Sequence, residues 1–157
     1  MTIRLLCSVL LCVSLCRAAE NPVVALVNGA GAHATARSSG GARDALSSGM
    51  LLESNTAIRV EAGGWFSAAL VDDNSTIGGS GPCLLVLRAV ERDNGLEISV
   101  DVRTGDIFFS ISPGRTNPLR IITPSLMCMS GYTHLRNELR ISVHGPGAAG
   151  SDTTRID

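Results

Sequence analysis

Hydrophobic and polar residues alternate one by one along much of the chain. Apolar residues occupy every second position in residues 96–103 and again in residues 139–144, with polar residues between them. Successive side chains of a β-strand point to opposite faces of a sheet, so each run has one face to bury and one to expose. After the first 20 residues no stretch keeps the 3.6-residue period of an amphipathic helix. The pattern therefore predicts an all-β domain.

Glycine-rich and Asn/Asp-rich turn signals separate the predicted strands about every 8–12 residues, a spacing typical of all-β folds. Gly63-Gly64 and residues 78–82 are two such breaks, and Asn94-Gly95 is a strong hairpin signal. We also expect turns at 104–106 and 136–138. The first would bring the apolar faces of residues 96–100 and 107–111 together, and the second would pair residues 132–135 with 139–143. This spacing predicts a small β-solenoid, a β-sandwich of jelly-roll-like form, or a barrel.

The N-terminus has the features of a secretory signal peptide. A positive residue precedes a predominantly apolar segment of twelve residues, 5–16, and small residues follow. Twelve residues are too few for a membrane helix, which needs about 20. We expect cleavage after Ala18 or Ala19 and a periplasmic or secreted protein. A buried N-terminal helix is one alternative. A lipoprotein acylated at Cys16 is another, although Leu15 stands where a small residue is preferred.

These boundaries divide the chain into three parts. Residues 1–19 form the signal peptide, residues 20–145 form one β domain, and the Gly/Ala/Ser-rich residues 146–157 are predicted to be a flexible tail. The central part is long enough to bury a hydrophobic core. We expect no transmembrane helix in the mature chain.

The charged residues indicate no nucleic-acid partner. All 13 basic residues are arginine, and 14 acidic residues offset them. Along the sequence the arginines are not clustered as a phosphate-following surface would require.

Cys83 and Cys128 are the two cysteines that a processed chain would keep, because Cys7, Cys12 and Cys16 fall in the signal segment. An even number of cysteines in an oxidising compartment permits a disulfide, so this pair is a candidate bridge. Buried free thiols, which pack as small hydrophobic groups, are the alternative.

No arrangement of residues indicates catalysis or a bound metal. The histidines at positions 33, 134 and 144 are not expected to meet. Residues 72–76 alternate Asp, Asn and Thr like the start of a calcium loop, but isoleucine stands where that loop needs glycine. Ser80 lacks the surroundings of a nucleophile elbow. We therefore expect no enzyme activity and no cofactor.

Trp65 is the candidate partner contact. It lies next to Phe66, and adjacent strand residues face opposite ways, so one ring is expected in the core and the other in solvent. An exposed tryptophan favours an interaction with a sugar or a protein.

A series of turn and core residues runs in a defined order along the chain: Leu46, residues 49–51, 58–60, 70–75, 84–87, 96–102, 104–107 and 123–124, and Gly131. This order resembles the FecR-type domain of bacterial extracytoplasmic proteins, over roughly residues 23–144. Two pieces depart from that family: residues 130–132 read Ser-Gly-Tyr instead of Arg-Gly-Thr, and residues 49–50 read Gly-Met instead of Gly-Asp. Turn and core residues are specific for a fold and weak for a function.

The resemblance implies an extracytoplasmic module. Its best known members sense a signal outside the membrane and regulate a sigma factor inside, which needs a cytoplasmic segment and a membrane helix ahead of the domain. Only four residues precede the short apolar run here, so we do not expect that role. We expect an exported, non-enzymatic FecR-like module of the bacterial envelope that binds a protein or glycan partner, including in signal sensing. A structural envelope or cell-wall component, or a hydrolase with an unrecognised site, is the alternative.

Overall fold

A computed structural model describes residues 21–71, 75–93, 95–113, 117–130, 137–144 and 153–156. These residues form twelve β-strands and no helix, which confirms the predicted all-β class. Accordingly, no described segment is a helix long and apolar enough to cross a membrane. The strands are β1 (Val23–Ala30), β2 (Ala34–Arg37), β3 (Arg43–Ala45), β4 (Leu51–Glu53), β5 (Thr56–Val60), β6 (Trp65–Leu70), β7 (Thr76–Arg92), β8 (Gly95–Ile111), β9 (Leu119–Ile122), β10 (Met127–Ser130), β11 (Asn137–His144) and β12 (Thr153–Ile156).

All twelve strands belong to one curled sheet that forms a half-barrel. Its longest path runs β10-β9-β8-β7-β5-β2-β3. A branch leads from β7 through β6 and β1 to β4, and another leads from β8 through β11 to β12. Every pair is antiparallel except the parallel pair β8–β9. The long hairpin of β7 and β8, 17 residues in each strand, therefore organises the sheet.

The long hairpin bends where its register shifts. Ser80 pairs with Asp106 and Leu84 with Thr104, so three residues of β7 lie opposite Gly105 alone. Before this bulge β7 pairs with β6, and after it β7 pairs with β5. Bulges bend strands in this way. The sheet therefore has a first half (β4, β1, β6, the start of β7, the end of β8, β11 and β12) and a second half (β3, β2, β5, the end of β7, the start of β8, β9 and β10).

One hydrophobic core lies between the two halves. Its buried side chains include Val27 and Phe66 of the first half and Ile58 and Leu87 of the second. The strand β8 contributes to both halves, through even-numbered residues 98–102 and then odd-numbered residues 107–111. A second register shift, between Leu84 and Leu85, adds Arg103 to β8 as an extra residue. This extra residue changes the parity of β8 and keeps its apolar side chains on the inner face. The outer faces of the two halves carry the exposed residues.

The predicted breaks at 78–82 and 104–106 are wrong, because both segments lie inside strands. Their glycines serve close backbone packing instead of chain reversal. A Cβ at Gly105, whose φ is +95°, would overlap the carbonyl oxygen of Pro82. A Cβ at Gly81 would overlap the carbonyl oxygen of Glu61 in the same way. The residues around 98 and 109 are buried as expected, but on one bent strand rather than on two strands of a hairpin.

Two further expectations near the C-terminus also differ. Asn137 and Glu138 belong to β11, where they pair with Ile111 and Ser110, so the predicted turn at 136–138 is wrong. Residues 132–135, the expected partner strand, lie outside the described residues. Part of the predicted flexible tail, Thr153–Ile156, forms β12 against β11. The predicted hairpin between β7 and β8 is confirmed, since Arg92 pairs with Gly95.

Candidate functional site

The outer face of the first half carries aromatic rings above a floor of small side chains. The register aligns three rows of residues across β6, β7, β8 and β11. We call this surface the aromatic face; its rows are Trp65–Ser80–Asp106–Ser142, Ser67–Gly78–Phe108–Arg140 and Ala69–Thr76–Ser110–Glu138.

Trp65 lies along the backbone of the neighbouring strand. A Cβ placed on Gly31 would come 2.5 Å from Nε1 of the indole, and one on Gly29 would come 3.0 Å from its Cη2. The two glycines therefore leave the space in which the ring sits. Trp65 remains 49 % exposed, whereas its neighbour Phe66 is 2 % exposed in the core. The expectation that one ring is buried and the other exposed is confirmed.

Phe108 is the second exposed ring of the aromatic face. Phe108 pairs with Arg140 of β11, and Cζ of Arg140 lies 5.1 Å from the centroid of the Phe108 ring, a cation–π distance. On the other side Phe108 pairs with Gly78, which has no side chain to cover the ring. One flank of the ring is thus held by a guanidinium, and the other borders open space.

That open space is a shallow groove of about 410 Å³. Its volume falls at the lower end of the range for ligand clefts, roughly 300–1,000 Å³. Apolar surface comes from the aromatic ring, and hydrogen-bonding groups surround it. The groove is lined by Ser67, Thr76, Gly78, Phe108, Phe109, Ser110, Glu138, Leu139 and Arg140.

Arg140 forms an ion pair with Asp106, which lies in the adjacent row of the aromatic face. An Nη2–Oδ2 distance of 3.4 Å joins the two side chains, and the hydroxyl of Ser142 donates a hydrogen bond to the other oxygen of Asp106. The Ser142 hydrogen bond and the charge of Arg140 lower the pKa of Asp106 against the opposing effect of its partial burial. The ionised carboxylate therefore helps to hold the guanidinium beside Phe108.

The chemistry of the aromatic face suits a ligand with apolar faces and polar edges. Aromatic rings bury flat, C–H-rich surfaces, while hydroxyl, carboxylate and guanidinium groups hydrogen-bond to the edges. Phe108 and Arg140 were not identified in the sequence. The alternation around residue 109 places its neighbour 108 outward, which was an available signal, whereas the pairing with Arg140 depends on register.

Both described cysteines are free thiols. Cys83 lies in β7 and Cys128 in β10, with β8 and β9 between them. Cys128 pairs with Ile121, which pairs with Val100, which in turn pairs with Leu87 of β7. Cys128 therefore lies level with Leu87, four residues along β7 from Cys83. A disulfide requires Cα atoms within about 7 Å. The topology therefore favours the alternative that Cys83 and Cys128 are free thiols.

The other candidate residues do not form a site in the described part of the chain. His33 lies in an exposed turn and His144 at the exposed end of β11, while His134 is outside the described residues. Residues 72–74 are outside them too. Ser80 is an exposed strand residue. Within the described ranges no three His, Cys, Asp or Glu side chains come together to hold a metal ion.

Comparison with known proteins gives no relative. No family model matches the chain, and neither a curated protein nor a solved structure does.

Proposed function

We propose that the protein is an exported, non-enzymatic module that binds a glycan of the bacterial envelope through the aromatic face. The observation that carries this proposal is the pair of exposed rings, Trp65 and Phe108, on one outer face of the sheet. They stand on strands β6 and β8, separated by β7, so their Cα atoms are roughly 10 Å or more apart at about 4.8 Å per strand. Two rings at that separation suit neighbouring units of an extended sugar chain.

The floor between the rings supports the same ligand class. Gly78 and Ser67 give a smooth surface beside Phe108, and Arg140 and Glu138 place charged hydrogen-bonding groups along its border. A sugar ring needs both a flat apolar contact and partners for its hydroxyl groups.

Export and the envelope location rest on the signal-like segment 1–19. The resemblance to the FecR-type domain rests on the order of the strands and turns, and remains a prediction. We include in the proposal a role in sensing an extracytoplasmic signal, with the glycan as its ligand.

A protein partner is the second candidate function, favoured by a different surface. Leu126, Met127 and Met129 are exposed on or beside β10. Within the described residues β10 pairs only with β9, so it is an edge strand. Exposed methionines and strand edges are common features of protein-binding surfaces.

Co-sedimentation with insoluble polysaccharides tests the glycan proposal. Purified peptidoglycan sacculi, chitin and cellulose serve as probes, and the bound fraction is measured at increasing protein concentration. We expect the wild type to bind at least one of them. Trp65→Ala and Phe108→Ala should weaken that binding by about tenfold or more, as central aromatic contacts typically do.

Val90→Ala is the matched control, because Val90 is an equally exposed apolar residue on the outer face of the second half. It should bind like the wild type. Equal binding by all four proteins would reject the aromatic face. Loss of binding in Met127→Ala and Met129→Ala, with Trp65→Ala unaffected, would favour the β10 edge instead.

A further inference from the structure

The outer face of the second half carries arginines on neighbouring strands. Arg88 of β7 pairs with Ser99 of β8, and Ser99 pairs in turn with Arg120 of β9. Arg103 stands further along β8, and Arg92 lies at the end of β7. These residues are far apart in the sequence, and only the register brings them together. We call Arg88, Arg92, Arg103 and Arg120 the arginine face.

A buried carboxylate holds two of these arginines. Both Arg88 and Arg103 approach the same oxygen, Oδ2, of Asp101, Arg88 at 3.7 Å and Arg103 within hydrogen-bonding distance. The Asp101 side chain is 6 % exposed, while the two arginine side chains are about half exposed. The negative charge therefore lies beneath the surface, and the positive charges lie on it.

Glu97 forms ion pairs with the other two arginines, each through a different oxygen. Its two oxygens lie 2.8 Å from Nε of Arg120 and 3.2 Å from Nε of Arg92. Glu97 is largely covered, and both arginines are more exposed than it is. Four arginines thus share two carboxylates, which leaves an excess of two positive charges toward solvent.

Each guanidinium still has N–H groups beyond those that meet the carboxylates. A guanidinium carries five donors in a planar fork that fits the two oxygens of a phosphate or carboxylate. Arg88 and Arg120 are two strands apart, a separation of roughly 10 Å at about 4.8 Å per strand. Two guanidinium groups held at that separation can each bind a different oxyanion group. They therefore suit a ligand with repeated oxyanion groups better than a single small ion.

We infer that the arginine face is a second binding site, which takes a linear polymer bearing phosphate or carboxylate groups. It lies on the outer face of the half opposite the aromatic face, so it does not depend on the proposed glycan site. Asp101 and Glu97 orient the guanidinium groups, and the polymer's oxyanions bind their outward N–H groups. Such binding weakens as salt concentration rises, because the arginines displace counterions from the polyanion.

Binding to two soluble polyanions tests the inference and distinguishes the sources of the oxyanion. A poly(glycerol phosphate) teichoic acid supplies phosphodiesters, and polygalacturonate supplies carboxylates. Neutral dextran is the blank, and vesicles containing phosphatidylglycerol test a membrane surface. Affinity of the full chain for each probe is measured at several salt concentrations. We expect binding to at least one polymer and none to dextran.

Arg88→Gln and Arg120→Gln are the informative variants, because each leaves Asp101 or Glu97 with its second arginine. Each should weaken binding by roughly tenfold, as the loss of a charge-assisted contact does. Each should also reduce the slope of log affinity against log salt by about one unit. Arg43→Gln, which removes the same charge from an exposed position on β3, three strands away from β7, should leave both quantities unchanged. Circular dichroism confirms that each variant is folded.

Three results would overturn the inference: no binding to either polymer, equal losses in Arg43→Gln and the two test variants, or binding to the vesicles alone. Chitin and cellulose carry no oxyanions, so sedimentation with these two neutral polysaccharides tests the aromatic face independently of the arginine face.

Discussion

Phe108 and Phe109 are consecutive residues of β8 that lie on opposite sides of the sheet. Phe108 is 44 % exposed beside Arg140, and Phe109 is 2 % exposed in the core. Phe109→Ala should lower the free energy of unfolding by about 3–5 kcal/mol. Phe108→Ala should cost about 1 kcal/mol or less, since it removes a surface cation–π contact. Urea titration of both variants measures the difference, and equal losses would mean that the assignment of faces in β8 is wrong.

Gly105 allows the bend in the long hairpin. An alanine there takes a positive φ, which costs about 1–2 kcal/mol, and its Cβ also meets the backbone of Pro82. Gly63 has a similar φ of +80° with open space around it. Gly105→Ala should therefore destabilise the fold by about 1–3 kcal/mol more than Gly63→Ala, the usual cost of overpacking. Thermal unfolding of both variants checks this, and similar melting temperatures would contradict the close approach.

Asp106 should make the stability depend on acid pH. Because its folded pKa is lowered, the ionised group stabilises the fold above its ordinary pKa of about 3.9, and that contribution is lost as pH falls through the folded value. The stability advantage of the wild type over Asp106→Asn should therefore shrink as the pH decreases from 5 toward 3. Ser142→Ala removes the largest cause of the shift, so this variant should lose less stability over the same range, and its loss should end at a higher pH. Urea titrations across this range provide the measurement, and parallel curves for the three proteins would refute it.

The two thiols should differ in reactivity. Burial, with a smaller effect from nearby Asp106, raises the pKa of Cys83 to about 11, so this thiol stays protonated at neutral pH. Cys128 is less buried. Iodoacetamide should label Cys128 of the folded protein first and Cys83 only after unfolding in urea, as read by peptide mass spectrometry. If neither were labelled until a reductant was added, the two would be bridged.

The sequence alone was sufficient to predict most of the strands and one residue of the candidate site, Trp65. Alternation located most strands, Asn94-Gly95 located the long hairpin, and the Trp65–Phe66 pair showed that one ring must face outward. These features are local, because they depend on side-chain direction and turn chemistry within a few residues.

The bend and both outer surfaces depend on contacts that are distant in sequence. Gly81 and Gly105 were predicted to lie in turns. Glycine is required both where the chain reverses and where two backbones approach closely, so the sequence does not distinguish the two cases. Phe108 meets Arg140, and Arg88 aligns with Arg120, only through the pairing of β7, β8, β9 and β11. Register is set by the whole sheet, so residue spacing alone did not bring these groups together.

Fluorescence of Trp65 is the most direct measurement of the glycan proposal, because it is the only tryptophan in the chain and lies on the aromatic face. The probes are soluble oligosaccharides of N-acetylglucosamine and soluble fragments from enzymatic digestion of peptidoglycan sacculi. Stacking of a sugar on the indole should shift the emission to shorter wavelength and protect it from acrylamide quenching. Phe108→Ala should require a higher ligand concentration for the same change. Some of these soluble probes should release the protein from the insoluble polysaccharide in the sedimentation experiment. If those probes left the emission spectrum unchanged, binding at the aromatic face would be contradicted.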